Sequence, residues 1–386
     1  MSDLYKTLIK NDRQQRFYNK AAVLADKVKQ RTTASDQQAS FSKENLADLK
    51  LEKYFSLPLP ENLGGEGLSL YELLLMQERL AAGDGSVALS VGWHLGIIME
   101  LRDEQLWGKT IFNKVAKEIA TEQKVMNRAA SEPATGSPTR GGIPETKAVR
   151  SGGRYIISGR KTFTSMADCL DYFIVSAYVE ELGEVGWFLI DKNQEGVTVE
   201  HTWDTLGMRG TGSDDLVLNG VSVEDDKLVE LTSQKSSVPK GWLLHIPACY
   251  LGIAIAARND AIDFAKNFQP NSLDHPIAEV PHIKQKIGEI ELKLMNARYF
   301  MYTIAEKWDQ EPENRKQLQA ELAAVKVTAT NTANDVVDLA MRIAGGRGLS
   351  KRYPFEKYYR DVRAGLHNPP MDDSVFDMLA DQAFLR

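Results

Sequence analysis

Seven cations crowd the stretch between residues 342 and 363: Arg342, Arg347, Lys351, Arg352, Lys357, Arg360 and Arg363. The apolar helical run before them ends at Gly345 and Gly346, where glycine frees the backbone to turn and to approach another group closely. Guanidinium and ammonium groups beside such a turn can hold phosphate. The segment then closes on His367, Pro369, Pro370, Asp372 and Asp373. An imidazole titrates near neutral pH and can carry a proton, and a carboxylate can abstract one. Plainer explanations compete: a helix stop before a solvated basic surface, and Asp372 and Asp373 as the N-terminal charge of a helix. His94 lies in a helical run rich in small residues, where a lone histidine is ordinarily a satisfied core residue. The six histidines show no HExxH spacing and Cys169 and Cys249 lie far apart, so no metal site is expected.

These groups need a scaffold, and 386 residues suffice for two or three layers around a sizeable core. A net charge of −6 gives no bulk attraction to nucleic acid or to an anionic membrane. No apolar run is read as long enough to span a membrane, and the N-terminus lacks the apolar core of a signal peptide. Two isolated cysteines fit a reducing cytoplasm.

Helical periodicity runs over 4–31, 68–80, 85–106 and 109–122, with loops over 32–43 and through the prolines and glycines of 57–67. From about 125 to 229 the texture changes to short β-branched and aromatic runs between glycines, among them 154–158, 171–179, 185–190, 197–201 and 216–223. Strands at this spacing without intervening helices predict an antiparallel barrel or sandwich, not a Rossmann sheet. Helical pattern returns over 241–268, 282–309, 313–344 and 371–384, with a short helix starting at Pro354, and these read as a bundle. The expected divisions are an N-terminal helical domain (1–123), a middle β domain (124–230) and a C-terminal four-helix bundle (231–386), an α+β protein.

This order, with five motifs spread along the chain, resembles the acyl-CoA dehydrogenase superfamily of flavoproteins. Leu59-Pro60-Glu61 to Gly64-Gly65-Glu66-Gly67 is similar to the family's early P-x-x-x-G-G-x-G loop, and Ser131-Glu132-Pro133-Ala134-Thr135-Gly136-Ser137 to its T-E-P-x-x-G-S segment. Gly159-Arg160-Lys161-Thr162-Phe163-Thr164-Ser165 resembles the G-x-K-x-[WF]-[IT]-[TS] strand, and Leu206-Gly207-Met208-Arg209-Gly210-Thr211 the L-G-M-R-G-[ST] loop. Gly345 to Leu349, followed by Pro354 and Arg360-Asp361, resembles G-G-x-G-[YFL]…P…R-D. The resemblance implies a flavin between the β domain and the bundle, lined by Ala130, Ser131, Ser137, Phe163 and Ser165, with Arg342, Gly345 and Gly346 toward its phosphates. It also implies a homodimer or homotetramer, and electron-transfer flavoprotein as partner of a dehydrogenase.

The chain departs from the family where a dehydrogenase keeps its base. The carboxylate expected soon after Arg-Asp falls on Pro369, and the alternative position at the start of the first bundle helix holds Gly241, Trp242 and Leu243. A displaced base would be Asp372 or Asp373. The family's R-K-x-F-G motif is replaced by Ala265-Lys266-Asn267-Phe268-Gln269, and Arg342 stands for a glutamine, which leaves FAD and FMN both open. Two-component flavin monooxygenases of the superfamily, which receive reduced flavin from a reductase, resemble this chain at His94 and at His367-Asn368-Pro369. Three readings follow: monooxygenase-type chemistry on a small organic substrate with His94 and His367; acyl-CoA dehydrogenation with a displaced base; or a flavin-binding partner protein without turnover.

Overall fold

The computed structural model describes residues 4–135, 142–234 and 236–385. Six helices come first: α1 (Asp12–Lys29), α2 (Thr32–Gln38), α3 (Lys43–Leu51), α4 (Leu70–Ala81), α5 (Gly85–Glu104) and α6 (Lys109–Glu122). Their starts are written in the sequence. Asn11 and Ser42 accept from backbone N–H groups of α1 and α3, and Ser69 with Glu72 forms a reciprocal capping box on α4. Asp84 caps α5 by accepting from Ser86 and Val87 at 2.7 and 3.3 Å. The loop expected over 32–43 is instead helical through Gln38. Its Thr, Ser, Asp and Gln residues carry weak helix preference, and tertiary contacts override it: Ser35 is buried, and α2 packs on the turn Arg209–Thr211.

The middle layer is an eight-stranded sheet: β1 (Met126–Ala129), β2 (Lys147–Ser151), β3 (Arg154–Lys161), β4 (Tyr172–Val179), β5 (Glu184–Asp191), β6 (Val197–Glu200), β7 (Asp215–Glu224) and β8 (Leu228–Leu231), in the order β6-β7-β3-β2-β4-β5-β8 with β1 on β4. It is not wholly antiparallel. β1 and β2 both run parallel to β4, one after the other along the same edge of it, while the remaining pairs are antiparallel. β1 therefore ends beside the start of the family-like segment at Ala130, and Ser131 bridges Thr162 just beyond β3.

The C-terminal part contains α7 (His245–Asn267), α8 (Pro281–Gln310), α9 (Gln319–Ala344), α10 (Phe355–Ala364) and α11 (Asp372–Phe384). α7, α8 and α9 pack on one another and α10 packs on both α7 and α9, as the expected bundle requires; α11 lies against α9, and α4 of the N-terminal part packs on both α7 and α8. A buried ion pair joins them, Arg298 of α8 donating to both oxygens of Glu78 on α4 at 2.9 and 2.7 Å. Contrary to expectation, among the described residues one stretch, Gly241–Asn267, is long and apolar enough to cross a membrane; 94% of its apolar window is buried inside the fold. Its seam with α5 depends on missing side chains. A Cβ on Gly92 would lie 2.2 Å from His245, and one on Gly96 2.1 Å from the Trp242 ring. Gly96→Ala is therefore expected to cost about 1–3 kcal/mol despite the better helix former; an unchanged thermal midpoint would mean that Trp242 yields freely.

Candidate active site at the three-domain junction

Ala130 and Ser131 continue the line of β1, and the Thr162 N–H donates to the Ser131 carbonyl at 2.9 Å. Behind this contact Lys161 is fully buried against Glu132, and its Nζ also donates to Ser176 Oγ at 3.1 Å. The Glu132 carboxylate accepts from the backbone N–H groups of Glu145 and Thr146. Burial pulls the Lys161 ammonium down to about 8, against the pull of its carboxylate partner. One buried ion pair thus locks the two segments that bear Ser131 and Phe163.

Phe163 has a positive φ of 56°, which turns its ring outward: the side chain is 64% exposed and meets Trp203 edge-on at 5.7 Å. Ser165 is buried, its hydroxyl bonded to Ser213 Oγ at 2.9 Å, which in turn meets Thr211 Oγ1 at 2.8 Å. Ala130, Ser131, Phe163 and Ser165 are thereby brought to one edge of the sheet. Ser137 lies outside the described residues.

The Arg-Asp pair of the fifth motif proves to be the junction itself. Arg360 holds both oxygens of Asp36 on α2 at 3.0 and 2.8 Å, and donates to the Leu206 carbonyl at 3.0 Å. Asp361 is fully buried, accepts from the Met208 N–H at 2.7 Å and pairs with Lys357 at 2.5 Å. Lys357 also reaches Asp84, the cap of α5, at 4.0 Å. Gly207 makes this approach possible, because a Cβ there would fall 2.2 Å from the Arg360 carbonyl. The sequence offered these cations as a phosphate patch; Lys357 and Arg360 are instead committed to carboxylates.

A cavity of about 620 Å³ beside α10 is lined by Met341, Arg342, Gly345, Gly346, Tyr359 and Arg360, with the carboxylates of Asp338 and Glu356 also on its wall. Arg342 is exposed and, among the described residues, paired with Asp338 alone, one turn back at 2.6 Å. Gly345 adopts φ +62° with open space where a Cβ would stand. A phosphate-bearing group fits this lining, since the backbone can approach closely and Arg342 can exchange partners.

The acid–base candidates fare differently. His94 is 1% exposed and both ring nitrogens are spent: Met126 N–H donates to Nδ1 at 3.0 Å, leaving Nε2–H to donate to the Phe55 carbonyl at 3.0 Å. It clasps α5 to β1 and to the loop at Phe55, and offers no free nitrogen. His367 is exposed, and among the described residues nothing hydrogen-bonds its imidazole. Its neighbour Asn368 accepts from Tyr250 on α7 at 2.6 Å, which fixes the loop. Asp372 faces α9, bonded to Lys326 at 3.3 Å and Asn331 at 2.7 Å. Asp373 accepts from the Ser374 N–H at the start of α11. Both aspartates serve that helix. The sequence marks Trp242 only as standing where a base would be and gives no role to His245; both are buried, and the glycines opposite them at 92 and 96 were the available signal. His201, Asp168 and Asp214 form a described group whose ligand atoms lie within 4.8 Å of one another, although His201 and Asp168 are exposed.

Helical block, sheet and helical bundle meeting at this junction define an acyl-CoA dehydrogenase-type fold, and the chain belongs to that family. Residues 11–104, 127–221 and 244–366 match its N-terminal, middle and C-terminal domains. Over 377 residues, 97% of this chain and 98% of the other, it is 50% identical to a putative acyl-CoA dehydrogenase of Bacillus subtilis. A 3-(aryl)acrylate reductase of Clostridium sporogenes is 32% identical over 85% of this chain and 86% of its own length. Dibenzothiophene monooxygenase of Rhodococcus erythropolis is 26% identical over 90% of this chain and 88% of its own length. The butyryl-CoA dehydrogenase structure from Megasphaera elsdenii superposes with TM-score 0.87 at 22% identity, covering 98% of this chain and all of that one. The family's members are flavin-dependent oxidoreductases, and the wall and cavity described above suit a flavin's ring and phosphate.

Two outcomes follow from the site. Burial depresses His94 to about 4, whereas it titrates near 6.5 when unfolded. Its contribution is present above about pH 6.5 and is lost as pH falls through about 4, on the order of 3 kcal/mol in total. Thermal midpoints between pH 6.5 and 5 should fall less steeply in His94→Gln than in wild type; equal slopes would remove His94 as the cause. Asp361→Ala strands the Lys357 ammonium and the Met208 N–H, an expected loss of about 3–5 kcal/mol in urea unfolding, with a smaller loss for Asp361→Asn.

Proposed function

We propose that the chain is a monooxygenase-type flavoenzyme that acts on a small organic substrate, with His367 as its proton-handling residue. The observation that carries this reading is the contrast between the empty base positions and the free imidazole. Pro369 and Trp242 stand where a carboxylate would abstract a proton, and Asp372 and Asp373 are engaged by α9 and α11. His367 lies six residues beyond Asp361, on a loop held by Tyr250, with no hydrogen bond to its ring among the described residues. A bound flavin supplies the redox chemistry. The chain's part is to carry a proton at His367, to shield the ring edge with Phe163, and to hold phosphate at Arg342 and Gly345. FMN or FAD would be delivered reduced by a separate reductase. His94, with both nitrogens engaged, is assigned to the scaffold.

The second reading is an acyl-CoA dehydrogenase, or a reductase of the same thioester class, working with electron-transfer flavoprotein; the names of the 50% and 32% identical relatives favour it. Either reading fits a homodimer or homotetramer, since Leu292, Met295 and Tyr299 expose an apolar stripe along α8. The two buried free thiols suit a cytoplasmic setting.

The test has two arms on the flavin-loaded protein. Anaerobic mixing with acyl-CoAs should leave the oxidised flavin absorbance unchanged, whereas rapid bleaching would establish the second reading. Reduced protein mixed with ¹⁸O₂ and a panel of small aromatic compounds should give a product bearing one ¹⁸O by mass spectrometry. In His367→Ala that yield should fall by about 10²–10⁴-fold with flavin affinity unchanged; an undiminished yield excludes His367.

A further inference from the structure

Lys326, Thr330 and Asn334 recur at four-residue steps and so line one face of α9, with Asn331 at its border. A core helix ordinarily buries an apolar face, yet these three polar side chains are all buried. Each meets the segment that follows the Arg-Asp junction. Asn334 Nδ2 donates to the Val362 carbonyl at 3.1 Å. A Cβ on Gly365 would lie 3.2 Å from Thr330 Cγ2 and 3.0 Å from the Tyr250 ring of α7. Lys326 and Asn331 donate to the two carboxylate oxygens of Asp372 at 3.3 and 2.7 Å. From the other side the Tyr250 hydroxyl donates to Asn368 Oδ1 at 2.6 Å. These contacts bracket His367. Its own N–H donates to the Ala364 carbonyl at 3.0 Å, and its ring is left exposed.

Lys326 is the costly member of the row. Its side chain is 2% exposed, and its carboxylate partner among the described residues is Asp372. Burial pulls the ammonium below its ordinary value, against the pull of Asp372. A buried ammonium without a partner is strongly disfavoured, so Lys326 holds Asp372 in place. Asp372 opens α11, whose other hold on α9 is small. Val375, Met378 and Leu379 rest on Ala323 and Val327 in a cluster separate from the main core. α11 can therefore leave without opening that core, and the far anchor of the His367 loop leaves with it.

We propose that Tyr250, Lys326 and Asp372 are positioning residues for His367, and that α11 is the latch that keeps the His367 loop in place. The proposal deepens the function proposed above and rests on that reading for the role of the imidazole. All three groups act through the loop and none through the substrate.

The experiment is amide hydrogen exchange on the flavin-loaded full-length protein, with product yield under ¹⁸O₂ and flavin affinity measured on the same preparations. Asp372→Ala strands the Lys326 ammonium. It should raise exchange about 10²-fold in α11 and at residues 366–368 while α7 and α9 stay protected. Its product yield should fall about 10²-fold at unchanged flavin affinity. Lys326→Met combined with Asp372→Leu replaces the ion pair by apolar groups, and should restore both protection and yield. A carboxylate acting on the substrate could not be replaced in that way. Tyr250→Phe keeps the ring against Gly365 and should loosen residues 366–368 alone, with yield down about tenfold; it carries the test if Asp372→Ala does not fold. A wild-type protein that forms no oxygenated product counts against the proposed function, while the exchange measurements still decide the latch. Unchanged exchange in Asp372→Ala, a double variant as loose as the single one, or a lost yield with the loop still protected would overturn the proposal.

Discussion

The organising constraint of this protein is the buried Asp361 carboxylate with the Arg360 guanidinium beside it. One carboxylate takes a backbone N–H from the middle domain at Met208 and the ammonium of Lys357, which in turn reaches the cap of α5. The adjacent guanidinium holds Asp36 of α2 and the Leu206 carbonyl. Three parts of the chain separated by hundreds of residues converge within a few ångströms. In a buried setting such an arrangement holds only if every lone pair and proton is met, which makes it specific as well as strong.

Two further devices work outward from that point. The Glu132–Lys161 pair fixes the sheet edge, so that Phe163 can afford a strained, outward-facing backbone without losing its register. The glycines of α5 let α7 come close enough to bury Trp242 and His245. The first fixes the sheet edge and the second seals the seam between α5 and α7.

Much of this was legible in sequence. Strands of β-branched and aromatic residues between glycines, and long periodic helices after 241, gave the layers; five motifs in order gave the family. The parts that were not legible share a physical cause, which is that partners lie far away in the chain. Nothing local tells that Thr32–Gln38 is helical, because its stability comes from packing on the Arg209–Thr211 turn. The basic character of 342–363 looked like one patch, yet Arg360 and Lys357 have fixed carboxylate partners while Arg342 faces a cavity. His94 matched a pattern for proton transfer, but its lone pair is claimed by a backbone N–H from β1. Trp242 was noticed for the acid it replaces, not for the seam it seals with His245 against α5.

The wall that α4 gives to α7 and α8 bears on how the chain comes to be folded. This helix is made early, yet the apolar and ionic surfaces it must cover, Arg298 among them, follow more than two hundred residues later. Glu78 has to wait exposed while the whole sheet is synthesised, and the later helices have no complete core until they find it. Native contacts of such long sequence separation slow folding and leave apolar helix faces open in the interval. The N-terminal helices and the bundle are therefore one cooperative unit interrupted by a sheet, and a fragment cut at either border of that sheet would lack a wall of its own core.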